Sequence, residues 1–287
     1  MRGLRQMNEQ AAGQGIPMHS SSDTHATGTP TLDLVPNHPV QPGFQGLVDD
    51  ACASITSALG EALDSLYLYG SVARGSAKAG RSDLDLTLVL ARPLSRQEAA
   101  QLEQSRLDLQ LRHSEVVKID FDLGTRQEVL DPAHLYSWGY WLKHECRCIH
   151  GTDLAQQFEA FEPSRAIAQA VNGDYVQVLT GYLQRIDGAG DDAEALRLQR
   201  EAARKLIRAT HVLRPCHGGF WPRTLEESAA YFSGRHPEMA GPIEFFLIQA
   251  RTPAMPRTAF SARLSSFLEW MQRQQQLLAP EPGPSAP

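Results

Sequence analysis

Residues 66–90 read LYLYGSVARGSAKAGRSDLDLTLVL, and no other stretch constrains the chain as much. Its first four residues are apolar and aromatic, which suits a strand inside a sheet. Gly70 then lets the backbone approach a ligand closely, and the amides of Ser71, Val72 and Ala73 would point into one concavity at a helix start, where an anion is favoured. The Ser71 hydroxyl adds a donor. Arg74, one turn on, either clamps that anion or braces the turn. Asp83 and Asp85 stand two apart on the next apolar run, so on a strand both leave the same face. Two carboxylates on one face repel unless a cation lies between them, and Mg²⁺ held by a pair of carboxylates plus substrate phosphates resolves the conflict.

The rest of the chain supplies a setting. Leu47, Ala51, Ile55 and Leu59 recur at helical spacing, which predicts a helix over 44–59 packed on the sheet. A Ser95/Glu98 capping box after Pro93 starts a helix running to about 110, long enough to cross over the sheet. The run 116–124, VVKIDFDLG, reads as a strand on which Asp120 and Asp122 share one face opposite Ile119, Phe121 and Leu123. Asp131-Pro132 opens a helix with Leu135, Trp138, Trp141 and Leu142 as its core side. His144, Cys146, Cys148 and His150 alternate, but four ligands on one continuous strand cannot close a tetrahedron, so structural zinc is set aside.

Beyond 161 the pattern is helical only. Ile167, Val171, Tyr175, Val178 and Tyr182 predict one helix ending at the Gly188-Ala189-Gly190 break. A second helix is expected over 192–214, a Thr224/Glu227 capping box starts a third, and two more cover 243–251 and 258–278. The second carries Arg197, Arg200, Arg204, Lys205 and Arg208 on one side. Either this is a solvated face in which Glu201 pairs with Lys205 at i,i+4, or it turns cations toward an anionic ligand. Residues 1–41 are poor in apolar side chains and predict a flexible leader; 279–287 predict a flexible Pro-rich tail.

The order GSxxRG then SDxDL resembles the nucleotidyltransferase superfamily that includes DNA polymerase β, in its aminoglycoside and minimal nucleotidyltransferase branch. That resemblance implies an α+β chain: a nucleotidyltransferase domain over 42–157, a small mixed sheet flanked by helices, followed by an all-α bundle over 158–278. It implies a third carboxylate on the neighbouring strand, which Asp120 matches better than Asp122. It also implies a lysine of the helical domain at the triphosphate, here Lys205 with Arg208 second. The implied reaction moves a nucleoside monophosphate, AMP first, from a triphosphate to an acceptor hydroxyl and releases pyrophosphate. Asp83, Asp85 and Asp120 would be the catalytic and Mg²⁺-binding set, and Gly70, Ser71, Arg74, Ser82 and Lys205 the nucleotide-binding set. Asp122 and Glu201 stand as alternatives for the base.

Composition narrows the partners. A chain of 287 residues, 42% hydrophobic, supports two modest domains. A net charge of −6 argues against a surface that tracks a polyphosphate chain, so extended nucleic-acid binding is set aside in favour of a small-molecule acceptor or a partner protein. An aminoglycoside-type antibiotic needs an acidic cleft, and Asp191, Asp192, Glu194, Glu226 and Glu227 form no clear cluster, so it is one candidate among acceptors. Protein nucleotidylation of the antitoxin type is the second enzyme reading. A reading of a different class is a nucleotide-binding or regulatory module without turnover, although that fate predicts loss of an aspartate and both are present. RKLIRATH, with Arg204 and His211, loosely resembles a motif of helical RNases. Cys52, Cys146, Cys148 and Cys216 show no disulfide framework, and neither a secretory segment nor a membrane span is legible, so a cytoplasmic protein is expected.

Overall fold

The computed structural model describes residues 31–278, in two compact units that divide between residues 161 and 162. The leader and tail expectations for 1–30 and 279–287 lie outside the described residues. Residues 31–41 correct the leader expectation. Leu32 and Val40 are buried, and Gln41 exchanges two hydrogen bonds with Ala77, donating at 3.3 Å and accepting at 2.9 Å. Two well-placed apolar side chains and one amide anchor this segment where composition alone predicts none.

The first unit is built on a four-stranded sheet of order β3-β2-β1-β4. Helix α1 (Pro42–Leu59) starts with proline in its first turn and buries Phe44, Leu47, Val48, Ala51, Ile55 and Leu59. Strand β1 (Leu63–Tyr69) is central and antiparallel to both β2 (Leu84–Leu90) and β4 (Arg147–Gly151). Between β1 and β2 lies the one-turn helix α2 (Gly70–Ala73). β2 runs parallel to β3 (Ile119–Thr125), and α3 (Arg96–Arg112) is the crossover such a pair requires. Its Ser95/Glu98 capping box is formed, with both reciprocal bonds present.

Strand alternation divides this unit's interior in two. Leu66, Leu68, Leu84, Leu86, Leu88 and Ile119 face α1 and α3 in one core. Tyr67, Tyr69 and Val89 pack on the other face against Trp138, Trp141, Leu142 and Leu154. Because register partners share a face, Asp85, Thr87, Asp120 and Asp122 project on that second side. The segment that covers it departs from the expected regular helix. After the four-residue α4 (Arg126–Val129) come a 3₁₀ turn (Pro132–His134) and two π-helical turns (Leu135–Gly139 and Trp141–Glu145). The wider turn brings Trp138, Trp141 and Leu142 onto the sheet, while Leu135 is exposed. Gly124 admits Trp138, whose ring lies 2.6 Å from where a Cβ would sit.

In the alternating His/Cys segment, His144 is held by backbone groups. His144 is fully buried; its Nε2 accepts from the Phe161 amide at 2.9 Å and its Nδ1 lies 3.1 Å from the Asp33 carbonyl.

The second unit is helical. The single expected helix is two, α5 (Arg165–Asn172) and α6 (Tyr175–Asp187), interrupted at Gly173-Asp174. Helix α7 (Asp192–Ala209) ends earlier than expected and continues as a 3₁₀ turn (Thr210–Leu213). Helices α8 (Leu225–Arg235), α9 (Ala240–Arg251) and α10 (Arg257–Leu277) follow, with the Thr224/Glu227 capping box formed. Leu179, Leu206, Phe246, Phe260 and Phe267 centre the core. Among the described residues no helix is long and apolar enough to cross a membrane.

Candidate active site

The polar face of the sheet comes together at the C-terminal end of β1, where Gly70 turns the chain at φ +72°. A side chain could not stand there: a Cβ on Gly70 would lie 2.1 Å from Asp85 Oδ2. Tyr69 pairs with Asp85 across the ladder, which sets that carboxylate directly against the turn. On its other side Asp85 pairs with Asp120, and Thr87 with Asp122, so Asp120 is the lateral neighbour of Asp85 and Asp122 lies one pair further along. Asp83, buried, precedes β2 by one residue. Ser71 is half-buried, and Val72 and Ala73 are buried in the first turn of α2. Ser82 closes the loop before β2; its hydroxyl accepts from the Lys78 amide at 2.9 Å and its carbonyl from the Val117 amide at 3.0 Å.

The carboxylates differ in their surroundings. Asp85 Oδ2 is buried and has no hydrogen-bond partner. Burial, followed by the charges of Asp83, Asp120 and Asp122, holds the Asp85 carboxyl well above the usual range, with Lys118 acting in the opposite sense. Asp122 is also buried and is pushed up to about 7, mainly by burial; the phenol of Tyr69, donating to its Oδ2 at 2.7 Å, moderates the rise. Asp120 is partly exposed and ion-paired, its Oδ2 2.8 Å from Lys118 Nζ. Trp141 Nε1 donates to the Thr87 hydroxyl at 3.0 Å, and its ring meets Tyr69 edge-on. The phenol that holds Asp122 is thereby fixed in turn.

Arg74 is engaged with Glu145 of the second π-helical turn, whose other oxygen accepts from the Tyr140 hydroxyl at 2.7 Å. This contact ties the C-terminal end of α2 to the second π-helical turn.

In the second unit, Lys205 is buried rather than solvated, and its ammonium reaches Asn172 Oδ1 at 3.2 Å and Asp174 Oδ1 at 3.1 Å. The expected Glu201–Lys205 pair is not made. Glu201 instead pairs with Arg197 at 2.6 Å and Arg185 at 3.5 Å, four residues back along α7 and across to α6. These partners weigh against Glu201 as a base. His211 is buried, 3.1 Å from the Ser228 hydroxyl, and held down at about 3 by burial and by Arg214 and Arg208. The imidazole is thus enclosed and turned to Ser228 rather than to solvent.

Residues 52–138 match the family model described as a nucleotidyltransferase domain. The chain carries a nucleotidyltransferase domain. Its matched span takes in the Gly70 turn, Asp83, Asp85, Asp120 and Asp122. A solved structure of the spectinomycin adenyltransferase AAD(9) from Enterococcus faecialis, holding ATP and spectinomycin, shares the fold: TM-score 0.55 at 16% identity, over 80% of this chain and 98% of that one.

Sequence reasoning passed over three residues of this nucleotidyltransferase face. Lys118 stands two before Asp120 and Tyr69 directly before Gly70, so both lay within reach of the alternation argument. Glu145 carried no local signal, because its link to Arg74 spans 71 positions.

A divalent cation, which the fold family implies, fits the donors present. The deciding observation is Asp85 Oδ2, an oxygen-only ligand atom, buried and unpartnered beside a glycine that leaves it room. Among the described residues no three His, Cys, Asp or Glu side chains already converge as a metal-holding group. Asp120 is turned to Lys118 and Asp122 to Tyr69.

Proposed function

We propose that the protein transfers a nucleoside monophosphate, AMP in the first instance, from a nucleoside triphosphate to a hydroxyl of a small-molecule acceptor. Asp83, Asp85 and Asp120 would hold Mg²⁺, which when bound neutralises phosphate charge. The observation that carries this reading is the unpartnered Asp85 Oδ2 set against the Gly70 turn, with Asp120 beside it in register.

In the chemistry this arrangement supports, the acceptor oxygen attacks the α-phosphorus, the bond to the bridging oxygen of the β-phosphate breaks, and pyrophosphate leaves. The amides and hydroxyl at Ser71 orient the pyrophosphate, with Gly70 allowing the close approach. Arg74, braced by Glu145, keeps that turn in place. Asp120, the partly exposed carboxylate, takes the proton of the attacking hydroxyl. Asp122, enclosed and held by Tyr69, fixes the strand behind it. Ser82 orders the loop that delivers Asp83. Lys205 acts by tying α7 to the α5–α6 break through Asp174 and Asn172.

For the acceptor, the likeness to an adenyltransferase solved with ATP and spectinomycin directs attention to hydroxylated, cationic antibiotics of that kind. The test is pyrophosphate release with each of the four triphosphates, with and without Mg²⁺, across a panel of aminocyclitols, aminoglycosides and uncharged polyols. Mg²⁺-dependent release that requires one acceptor supports the proposal. A panel silent with every triphosphate, from protein that still binds ATP, would refute small-molecule transfer.

A further inference from the structure

Lys118 places a positive charge on one of the carboxylates assigned above to the cation. Its Nζ lies 2.8 Å from Asp120 Oδ2, with the two side chains 42% and 17% exposed, so the ammonium reaches the carboxylate from the rim. Its backbone is fixed, since the Leu84 amide at the start of β2 donates to the Lys118 carbonyl at 2.9 Å. Its ammonium is carried on a four-carbon stem and acts as a point charge that can change partner. The same charge acts on Asp85 and Asp122, opposing the neighbouring carboxylates. A divalent ion and an ammonium a few ångströms apart repel, and low surrounding polarity strengthens the repulsion.

We propose, resting on the assignment of Asp83, Asp85 and Asp120 as the cation site, that Lys118 is a resident counter-ion that competes with the divalent cation for Asp120. Cation binding releases the ammonium, and the triphosphate accepts it, so cation and nucleotide bind cooperatively. In this structure Asp120 is drawn to Lys118. Reciprocity follows, with the nucleotide tightening the cation by the factor that the cation tightens the nucleotide.

The experiment is Mn²⁺ binding to the full chain, followed by electron paramagnetic resonance, with and without α,β-methylene ATP. The wild type is compared with Lys118→Met, Lys118→Gln and Asp85→Asn, with circular dichroism confirming the fold. Both lysine variants are expected to bind Mn²⁺ about threefold or more tighter in the absence of nucleotide. The analogue is expected to tighten Mn²⁺ less in these variants than in the wild type. Lysine variants that bind Mn²⁺ no tighter, or in which the analogue acts as strongly as in the wild type, overturn the inference while leaving the cation site standing. Wild type and Asp85→Asn binding Mn²⁺ alike would remove the site itself, and the role of Lys118 with it. Two lysine replacements of different polarity guard against one that fails to fold.

Discussion

Replacing Gly70 by alanine tests the closest approach in the site. The residue sits at φ +72°, and a left-handed backbone costs an L-residue about 1–2 kcal/mol. The new Cβ would also lie 2.1 Å from Asp85 Oδ2, so the carboxylate must move within a packed core, adding about 1–3 kcal/mol. Gly70→Ala should therefore cost about 2–5 kcal/mol in total. Gly80→Ala is the reference: it has φ +68° with nothing within 4 Å of its Cβ, so it should show the backbone cost alone. The assay is native-state hydrogen exchange of peptides from β1 and β2, which reads the first unit separately from the second. In an Asp85→Ala background the excess at Gly70 should largely vanish, since only a 3.3 Å contact with the Asp85 Cβ remains. A Gly70→Ala cost no larger than that of Gly80→Ala, or one unchanged by Asp85→Ala, would refute the reasoning.

Tyr69→Phe leaves the buried Asp122 carboxyl without its donor and should cost about 1–3 kcal/mol in urea unfolding. Asp122 has a folded pKa raised above its unfolded value, so its contribution is fully favourable below about 4 and is lost as pH rises to about 7; without the phenol, that loss should extend to higher pH. His211 works in the opposite sense. Its folded pKa is depressed to about 3, so stability should fall by about 1.4 kcal/mol per pH unit as pH drops below about 6.5, and His211→Gln should flatten that slope. If Arg74 acts as a brace, Glu145→Gln should raise the KM for nucleotide in the same direction as Arg74→Ala; a silent Glu145→Gln in steady-state kinetics would show that the pairing does not matter.

Local rules were legible in the sequence and long-range ones were not. The Gly70 bend, the Ser95/Glu98 and Thr224/Glu227 capping boxes and the Asp120/Asp122 alternation each depend on residues a few positions apart, and each appears where expected, whereas Asp83 lies one residue before β2 rather than on it. The choice between Asp120 and Asp122 depends on the β2–β3 register, which the alternation of one strand leaves open by two residues. The α5–α6 break at Gly173-Asp174 was hidden because apolar residues on both sides keep the phase of one stripe. Arg197 and Lys205 flank Glu201 at equal helical distance, and only the burial of Lys205 against Asp174 decides between them. The π-helical turns were not legible either, and the packing of Trp138 on Gly124 that accompanies them is a contact between elements rather than a property of either.

The central claim is that the carboxylates beside the Gly70 turn carry nucleotidyl transfer. Its most direct test is incorporation of α-phosphate label from ATP into an acceptor, with pyrophosphate counted alongside, for the wild type and for folded Asp83→Asn and Asp85→Asn. The account predicts Mg²⁺-dependent, stoichiometric label and pyrophosphate in the wild type, and a loss of about a hundredfold or more in each variant. Folded variants that transfer label at the wild-type rate would contradict it.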